Sequence, residues 1–434
     1  MPAPDAIAAT PAAVKQPERP KLLDIMGPGL ITGASDDDPG GIATYSQAGA
    51  QFGYALGWTL LFSYPLMCAI QLISAQIGRV TGRGLGGNLQ RYYPAWLLQG
   101  VIGLLLIANT INIGADLGAM AAALKLLVDG PLLLYVAGFA IASVLLEVFV
   151  RYSRYVSVLK WLTLSLFAYV ATVFVVGVPW LEVAENLVLP RIQFNGAYLT
   201  TVVAILGTTI SPYLFFWQAE EEVENEQESP TAKPLTEAPE QAPREMQRIR
   251  LDTFVGMGLS NLVALFIVLT TAATLHAHGV TDIQTSSQAA EALRPIAGSF
   301  AFTIFALGIV GTGLLALPVL AGSAAYAVGE ALRWPVGLAQ QPRRAKAFYG
   351  TIAVATVIGG LMNFSAIDPV KALFWSAVVN GVVAAPVMVM MMLLASRKDV
   401  MGQFALGPWL KRMGWLSTAV MLLAAIGMFA MWNN

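Results

Sequence analysis

Residues 27–41 read GPGLITGASDDDPGG, and they interrupt an apolar segment that extends over residues 27–50. The three carboxylates of residues 36–38 would lie near the middle of a membrane-length helix, where one charge costs at least about 2.5 kcal/mol. Pro39 removes a backbone donor, and the two glycines that follow it permit an unwound chain. Carbonyl groups freed at that depth are tolerated only where they line a cavity or hold an ion. The stretch therefore predicts a broken helix with a functional site at the break.

A second apolar segment, residues 197–218, is interrupted in a similar way, since it contains GTTISPYLFFWQ. Its proline, Pro212, stands beside the hydroxyl residues Thr208, Thr209 and Ser211. For any one of these hydroxyls, a bond back to its own helix is the ordinary structural alternative. Proline-interrupted spans at matching positions, the first and the sixth, are typical of transporters built from two inverted repeats, with the substrate between the breaks.

The composition of the whole chain is that of a polytopic membrane protein. Of its 434 residues, 56% are hydrophobic and 12% are charged, and the mean hydropathy is +0.65. The apolar residues fall in blocks of about 20, the length that crosses a hydrocarbon core. We predict eleven spans, near residues 27–50, 55–78, 95–127, 132–150, 156–178, 197–218, 252–275, 297–330, 347–363, 370–395 and 413–432.

The basic residues orient these spans, because Lys and Arg are retained on the cytoplasmic side. With the N-terminus inside, the loops predicted to be outside keep only Lys125, Arg191, Arg294 and Lys371. We therefore expect a cytoplasmic N-terminus and, after an odd number of spans, a C-terminus outside. The net charge of −1 offers no basic face for nucleic acid, and the single cysteine, Cys68, cannot form an intrachain disulfide.

The same pattern divides the chain into segments. The stretch 219–250 opens with a run of glutamates and is interrupted by four prolines, which favours a solvated cytoplasmic linker without a core. A sharper interpretation makes Glu220 part of a rim that attracts cations. We predict a disordered cytoplasmic tail at 1–22, a first repeat with the sixth span at 23–218, the acidic loop at 219–250, the rest of the second repeat at 251–396, and a loop with the last span at 397–434.

Several of these residues together resemble the Nramp (natural resistance-associated macrophage protein) family. The resemblance rests on Asp-Pro-Gly-Gly at 38–41, AGAQFGY at 48–54, IGRVTG at 77–82, Asp-Leu at 116–117 and DPVKAL at 368–373. It covers about residues 24–432 and implies the LeuT-type fold of two inverted five-helix repeats, with broken helices 1 and 6 and divalent metal import. The family's anionic ligand in the first span corresponds to Asp38.

The chain departs from the family at other metal-site positions. The family's Asn is replaced by Gly41, and its Met-Pro-His is replaced by Ser-Pro-Tyr at 211–213. The position whose carbonyl serves as a ligand corresponds to Thr208, a glutamine of the tenth span to Ala377, and an acid of the third span to Ala119. The resemblance thus implies a metal site at Asp38, Gly41, Thr208 and Ser211.

The departures change the expected chemistry. A thioether favours late transition metals, so its loss leaves an all-oxygen site for a hard ion such as Mg²⁺, which keeps several waters. The pattern resembles the Nramp-related magnesium transporters, and we rank Mg²⁺ first and Mn²⁺ second. Tyr213 and Ala119 stand where proton carriers are expected, and Asp116 alone does not make a relay. The sequence therefore predicts alternating access with weak or no proton coupling.

Other polar residues are candidates for outer-shell or gate positions: Asp36, Asp37, Tyr213, Asp116, Gln218 and Asn380. An alternative on the same fold is a transporter of a small organic cation, bound by Tyr213, Phe215 and Asp38. A membrane enzyme is disfavoured, because no Ser/His/Asp set or metal-binding His pair is evident. We expect no cofactor, no nucleic acid and no obligate protein partner, only a divalent metal ion and the lipid bilayer, in a bacterial cytoplasmic membrane.

Overall fold

The computed structural model describes residues 32–33, 35–150, 164–338, 340–365 and 367–432, and the regular secondary structure in these ranges is helical. The predicted tail at 1–22, the start of the first span and the start of the fifth span lie outside the described residues. The helices are α1 Pro39–Phe52, α2 Gly57–Thr81, α3 Leu85–Tyr92, α4 Ala95–Lys125, α5 Leu132–Phe149, α6 Phe167–Val175, α7 Trp180–Val188, α8 Gly196–Thr209, α9 Pro212–Glu228, α10 Ala242–Thr274, α11 Ser286–Glu291, α12 Arg294–Ala297, α13 Ala301–Leu332, α14 Lys346–Met362, α15 Pro369–Ala395, α16 Lys398–Met401 and α17 Pro408–Ala430.

Among the described residues, eight helical stretches are long and apolar enough to cross a membrane, or nine if a bent pair is counted as one span. One stretch, Pro39–Thr81, joins α1 and α2, and another, Gly196–Glu228, joins α8 and α9. The bent pair is Leu164–Val175 with Trp180–Val188, and α14 is shorter than the rest. The number of eleven spans stays a prediction. Consecutive helices such as α1 and α2 are counted as one stretch by length and composition, so the count of stretches is not a count of spans.

Proline fixes where several helices begin. Pro39, Pro212, Pro369 and Pro408 each occupy the first turn of a helix, where a missing backbone N–H leaves no partner unsatisfied. Two of the four follow an aspartate, since Asp38 caps α1 and Asp368 caps α15. Pro39 and Pro212, at the predicted breaks, each begin the helix that follows non-helical residues.

The helices α8 and α9 are held by different neighbours. Helix α8 packs mainly on α15, whereas α9 packs mainly on α2 and α13. At the first of these contacts, a side chain on Gly207 would overlap the backbone of Ala377 and Gly381. The two backbones approach so closely that only glycine fits at that position.

The segment predicted as a solvated linker, 219–250, is ordered over most of its length. Helix α9 continues to Glu228, and α10 begins at Ala242. Between them Leu235 is fully buried, and its N–H donates to the carbonyl of Arg79 at 3.2 Å. The expectation that this stretch has no means of building a core is therefore wrong.

A buried arginine explains the difference. Arg79, at the end of α2, is 2% exposed and contacts Glu226 at 2.9 Å. It also donates to the carbonyl of Lys233 at 2.6 Å and to Gln241 at 3.0 Å. Because one guanidinium satisfies both the acidic end of α9 and the turn after it, the polar stretch folds against the helices.

Candidate metal site

The carboxylate of Asp38 is the centre of the candidate site. Asp38 is 3% exposed and has an extended backbone, with φ −68° and ψ 170°, directly before α1. Its Oδ1 accepts from the N–H of Gly41 at 2.6 Å, and its Oδ2 accepts from the hydroxyl of Tyr213 at 3.3 Å. Each oxygen therefore has one donor and keeps lone-pair capacity for a further partner.

Gly41 positions this carboxylate and lets α8 approach. A Cβ atom on Gly41 would lie 3.0 Å from Oγ1 of Thr208 and 3.2 Å from the carbonyl oxygen of Asp36. Any larger residue would have to push these atoms aside. The start of α1 and the end of α8 thus bring together three of the four predicted metal-site residues, Asp38, Gly41 and Thr208.

The fourth predicted residue, Ser211, lies between α8 and α9, where Ile210 and Ser211 are not helical. Its hydroxyl is within hydrogen-bond distance of two carbonyls, Gly207 at 2.7 Å and Thr208 at 2.8 Å. The hydroxyl of Thr209 likewise donates to Ile205 at 3.0 Å. Both hydroxyls donate their hydrogen to carbonyls of α8. The lone pairs of the Ser211 hydroxyl oxygen are not used by these bonds and could bind a cation.

Asp36 and Asp37 lie beside a different helix. The hydroxyl of Ser260, on α10, is 2.7 Å from Oδ2 of Asp36 and 3.3 Å from Oδ1 of Asp37. Both acids are buried, and Oδ1 of Asp36 has no hydrogen-bond partner within the described ranges. Ser260 was not predicted from the sequence, because a single serine in an apolar span has no distinguishing pattern.

The remaining candidate residues lie on three other helices, α4, α9 and α15. Asp116, on α4, is fully buried and interacts electrostatically with Asp38. Gln218 accepts from the hydroxyl of Thr32 at 2.7 Å, which ties α9 to the chain before the break. Asn380 is buried on α15, and no described residue bonds its side-chain oxygen.

The side-chain groups close to Asp38 and Gly41 are all oxygen donors: the Asp38 carboxylate and the hydroxyls of Thr208 and Tyr213. Within the described ranges no three His, Cys, Asp or Glu side chains converge as a metal site. A cation at Asp38 would therefore keep part of its water shell. That arrangement suits a hard ion, which prefers oxygen ligands.

Comparisons with known proteins show which family the chain resembles. The family described as "Natural resistance-associated macrophage protein-like" matches residues 29–431. The chain is 26% identical over 412 residues to the divalent metal cation transporter MntH of Klebsiella pneumoniae, covering 92% of each chain. It is also 26% identical over 421 residues to MntH of Pectobacterium carotovorum, covering 94% of this chain and 93% of the relative.

Solved structures show the fold. A manganese transporter of Eremococcus coleocola superposes with a TM-score of 0.74 at 19% identity, covering 96% of this chain and 90% of the other. Mhp1, a nucleobase-cation-symport-1 family transporter, superposes with a TM-score of 0.56 at 15% identity, covering 94% and 92%. These matches confirm the predicted all-α fold of the LeuT type, while the number of spans and the two mid-membrane breaks stay predictions.

Proposed function

Because the chain belongs to the natural resistance-associated macrophage protein (Nramp) family, we propose that it carries a divalent metal cation across a membrane. It is an integral membrane transporter and not an enzyme. The observation that carries the proposal is Asp38, a buried carboxylate directly before α1 that accepts from the hydroxyl of Tyr213 and lies beside Gly41, which contacts Thr208. A buried, incompletely paired anion among neutral oxygen donors is a cation site by its chemistry.

The donor set supports Mg²⁺ as the transported ion, with Mn²⁺ as the second candidate. Mg²⁺ dehydrates reluctantly and is held by one or two carboxylates together with retained water, and Asp38 offers one carboxylate. Mn²⁺ is supported from another side, because the relatives are named as divalent metal or manganese transporters. Uptake of Mg²⁺, Mn²⁺ and Ca²⁺ into proteoliposomes that contain the purified chain tests the ranking directly, and Mn²⁺ uptake without Mg²⁺ uptake would reverse it.

The geometry suits alternating access around a fixed ion. Asp38 precedes α1 and Ser211 precedes α9, so the site lies where the chain is not helical on both sides. The site could therefore open to either membrane face when one helix moves relative to the others. We place the N-terminus in the cytoplasm, the C-terminus outside, and the protein in a bacterial cytoplasmic membrane, like the membrane of its bacterial relatives.

We predict that Ser211→Met combined with Gly41→Asn shifts the preference of the transporter toward Mn²⁺ and Cd²⁺. The substitutions return a soft sulfur and an amide to the site, and the Mg²⁺ to Mn²⁺ uptake ratio is expected to fall by about tenfold, or roughly 1.4 kcal/mol. Ser211→Leu with Gly41→Asn is the matched control, since leucine has a similar size without sulfur. If the ratio in competition assays is the same for both double variants, Ser211 does not face the ion.

A second prediction concerns protons. We expect cation influx without substrate-dependent acidification of liposomes loaded with a pH-sensitive dye. The residues near Asp38 that could pass a proton onward are Tyr213, a poor carrier near neutral pH, and Asp116, which has no acidic neighbour one turn later at Ala119. The membrane potential alone contributes about 2.3 kcal/mol per charge per 100 mV. A proton flux that rises with metal concentration would overturn this expectation.

A small organic cation is the second candidate substrate. The observation in its favour is the contact between the Tyr213 hydroxyl and Asp38, since an aromatic ring beside an acid can bind an ammonium group. Phe215, the other aromatic residue considered, is fully buried, and its backbone carbonyl accepts from the hydroxyl of Ser74 on α2. Competition separates the candidates, because alkylammonium ions should compete with an organic substrate but leave Mg²⁺ uptake unchanged.

A further inference from the structure

Two carboxylates meet beside the middle of α9, away from Asp38. Glu220, on α9, is 3% exposed, and Glu330, near the end of α13, is its principal charged neighbour. Oxygen atoms of both side chains lie within 2.8 Å of the point that a Cβ on Gly84 would occupy. The carboxylates of two helices therefore converge on one glycine.

The carboxylate of Glu330 is held in place by the backbone. Its Oε1 accepts from the N–H of Gly84 at 3.1 Å, and its Oε2 accepts from the N–H of Gly87 at 2.7 Å. A side chain on Gly86 would also press on this carboxylate, because its Cβ would lie 2.8 Å from Oε2. Two backbone donors and a glycine-rich turn thus orient Glu330 toward Glu220.

Glu220 lacks a matching donor. Its Oε1 is buried and has no hydrogen-bond partner in the described part of the chain, and the group that faces it is a second acid. Three other glutamates of α9 have partners, since Glu222 pairs with Arg248, Glu226 pairs with Arg79, and Glu224 accepts from Tyr326. Two adjacent buried carboxylates repel each other unless a shared proton or a metal cation lies between them.

We propose that Glu220 and Glu330 form a second site for a divalent cation, on the side of the protein predicted to be cytoplasmic. Oxygen atoms that share one Mg²⁺ ion lie about 3 to 4 Å apart, because each Mg–O bond is about 2.1 Å. Two carboxylates and several waters make a usual shell for this ion. Such a shell needs no third acid, in accord with the lack of any three-residue metal cluster among the described residues.

The second site lies on the helix that also contributes to the first. Tyr213 and Glu220 are both on α9, seven positions apart, so about 10 Å separates them along the helix axis. An ion that leaves Asp38 toward the cytoplasm would meet Glu220 next. This inference rests on the proposed transport of a divalent cation, and it adds a place where the ion pauses before release.

The test is a count of bound ions in the purified full-length chain, with Mn²⁺ as the probe and electron paramagnetic resonance of free Mn²⁺ as the readout. We expect two Mn²⁺ per wild-type chain, both displaced by excess Mg²⁺. Glu220→Gln should bind one, Asp38→Asn should bind one, and the double variant should bind none. Glu228→Gln, an exposed change on the same helix, should still bind two.

The outcomes separate this inference from the proposed function. If the wild type binds one Mn²⁺ and Asp38→Asn loses it, the second site is overturned and the first stays intact. In that case Glu220 and Glu330 share a proton and not a metal ion. Two Mn²⁺ in both Glu220→Gln and Glu330→Gln would also overturn it. Should Glu220→Gln fail to fold, the single ion expected in Asp38→Asn still decides the question without changing Glu220.

Discussion

Replacing Asp38 with asparagine is expected to abolish cation uptake, with a loss of more than about 100-fold, or roughly 3 kcal/mol of ion binding. Asparagine caps a helix as well as aspartate does, so the hydrogen bond from Gly41 and the start of α1 should survive. What is lost is the negative charge of the site. The measurement is Mg²⁺ and Mn²⁺ uptake into proteoliposomes at equal protein content.

The matched control for this variant is Asp368→Asn. Asp368 also precedes a proline and caps a helix, accepting from the N–H of Val370 at 2.8 Å. It lies in a loop that is predicted to be outside the cell, away from the site at Asp38. It should transport like the wild type. Removal of a charge from the membrane should not impair insertion of Asp38→Asn, so equal yields are expected. Wild-type uptake by Asp38→Asn would mean that the ion binds elsewhere.

Replacing Arg79 with methionine is expected to destabilise the protein by about 3 to 5 kcal/mol, because it leaves a buried acid without its partner. The acid is Glu226, 9% exposed and 2.9 Å from the guanidinium. The carbonyl of Lys233 would lose its donor as well. The readout is the fraction of monodisperse protein that survives heating in detergent, compared with the wild type over a range of temperatures.

A second substitution identifies the cause. Arg79→Met with Glu226→Gln should recover part of the loss, since the uncompensated charge is removed. Arg91→Met is the control, because Arg91 is an exposed arginine on α3 at the same side of the protein. A thermal profile of Arg79→Met that matches the control would show that the buried ion pair does not stabilise the fold.

The sequence predicted the parts of the site that depend on rare local patterns. An acid and a proline inside an apolar block are conspicuous, so the sequence alone marks Asp38 and Pro212 as unusual. The structure brings Asp38, Gly41 and Thr208 together, and their role as metal ligands stays a prediction. The all-α fold followed from the apolar blocks, whose length is set by the bilayer.

The parts that were missed depend on contacts between distant segments. Ser260 bonds Asp36 across 224 positions, and Arg79 bonds Glu226 across 147. Neither partner is marked by its neighbours in the sequence. The stretch 219–250 was mistaken for a linker for the same reason, because the buried arginine that neutralises it lies on another helix. Local composition predicts which residues are unusual, whereas the partner of each one is set by the tertiary fold.

The division of packing around Ile210 and Ser211 has a mechanical consequence. Helix α8 is locked to α15 by backbone contact at Gly207, while α9 packs on α2 and α13. The two non-helical residues between them can therefore work as a hinge, since a few backbone dihedrals are enough to reorient one helix against another. Rotation there would swing α9, with Tyr213 at one end and Glu220 further along, while the α8–α15 seam stays closed. A single hinge movement would thus break the hydrogen bond between Tyr213 and Asp38 and separate Glu220 from Glu330 at the same time.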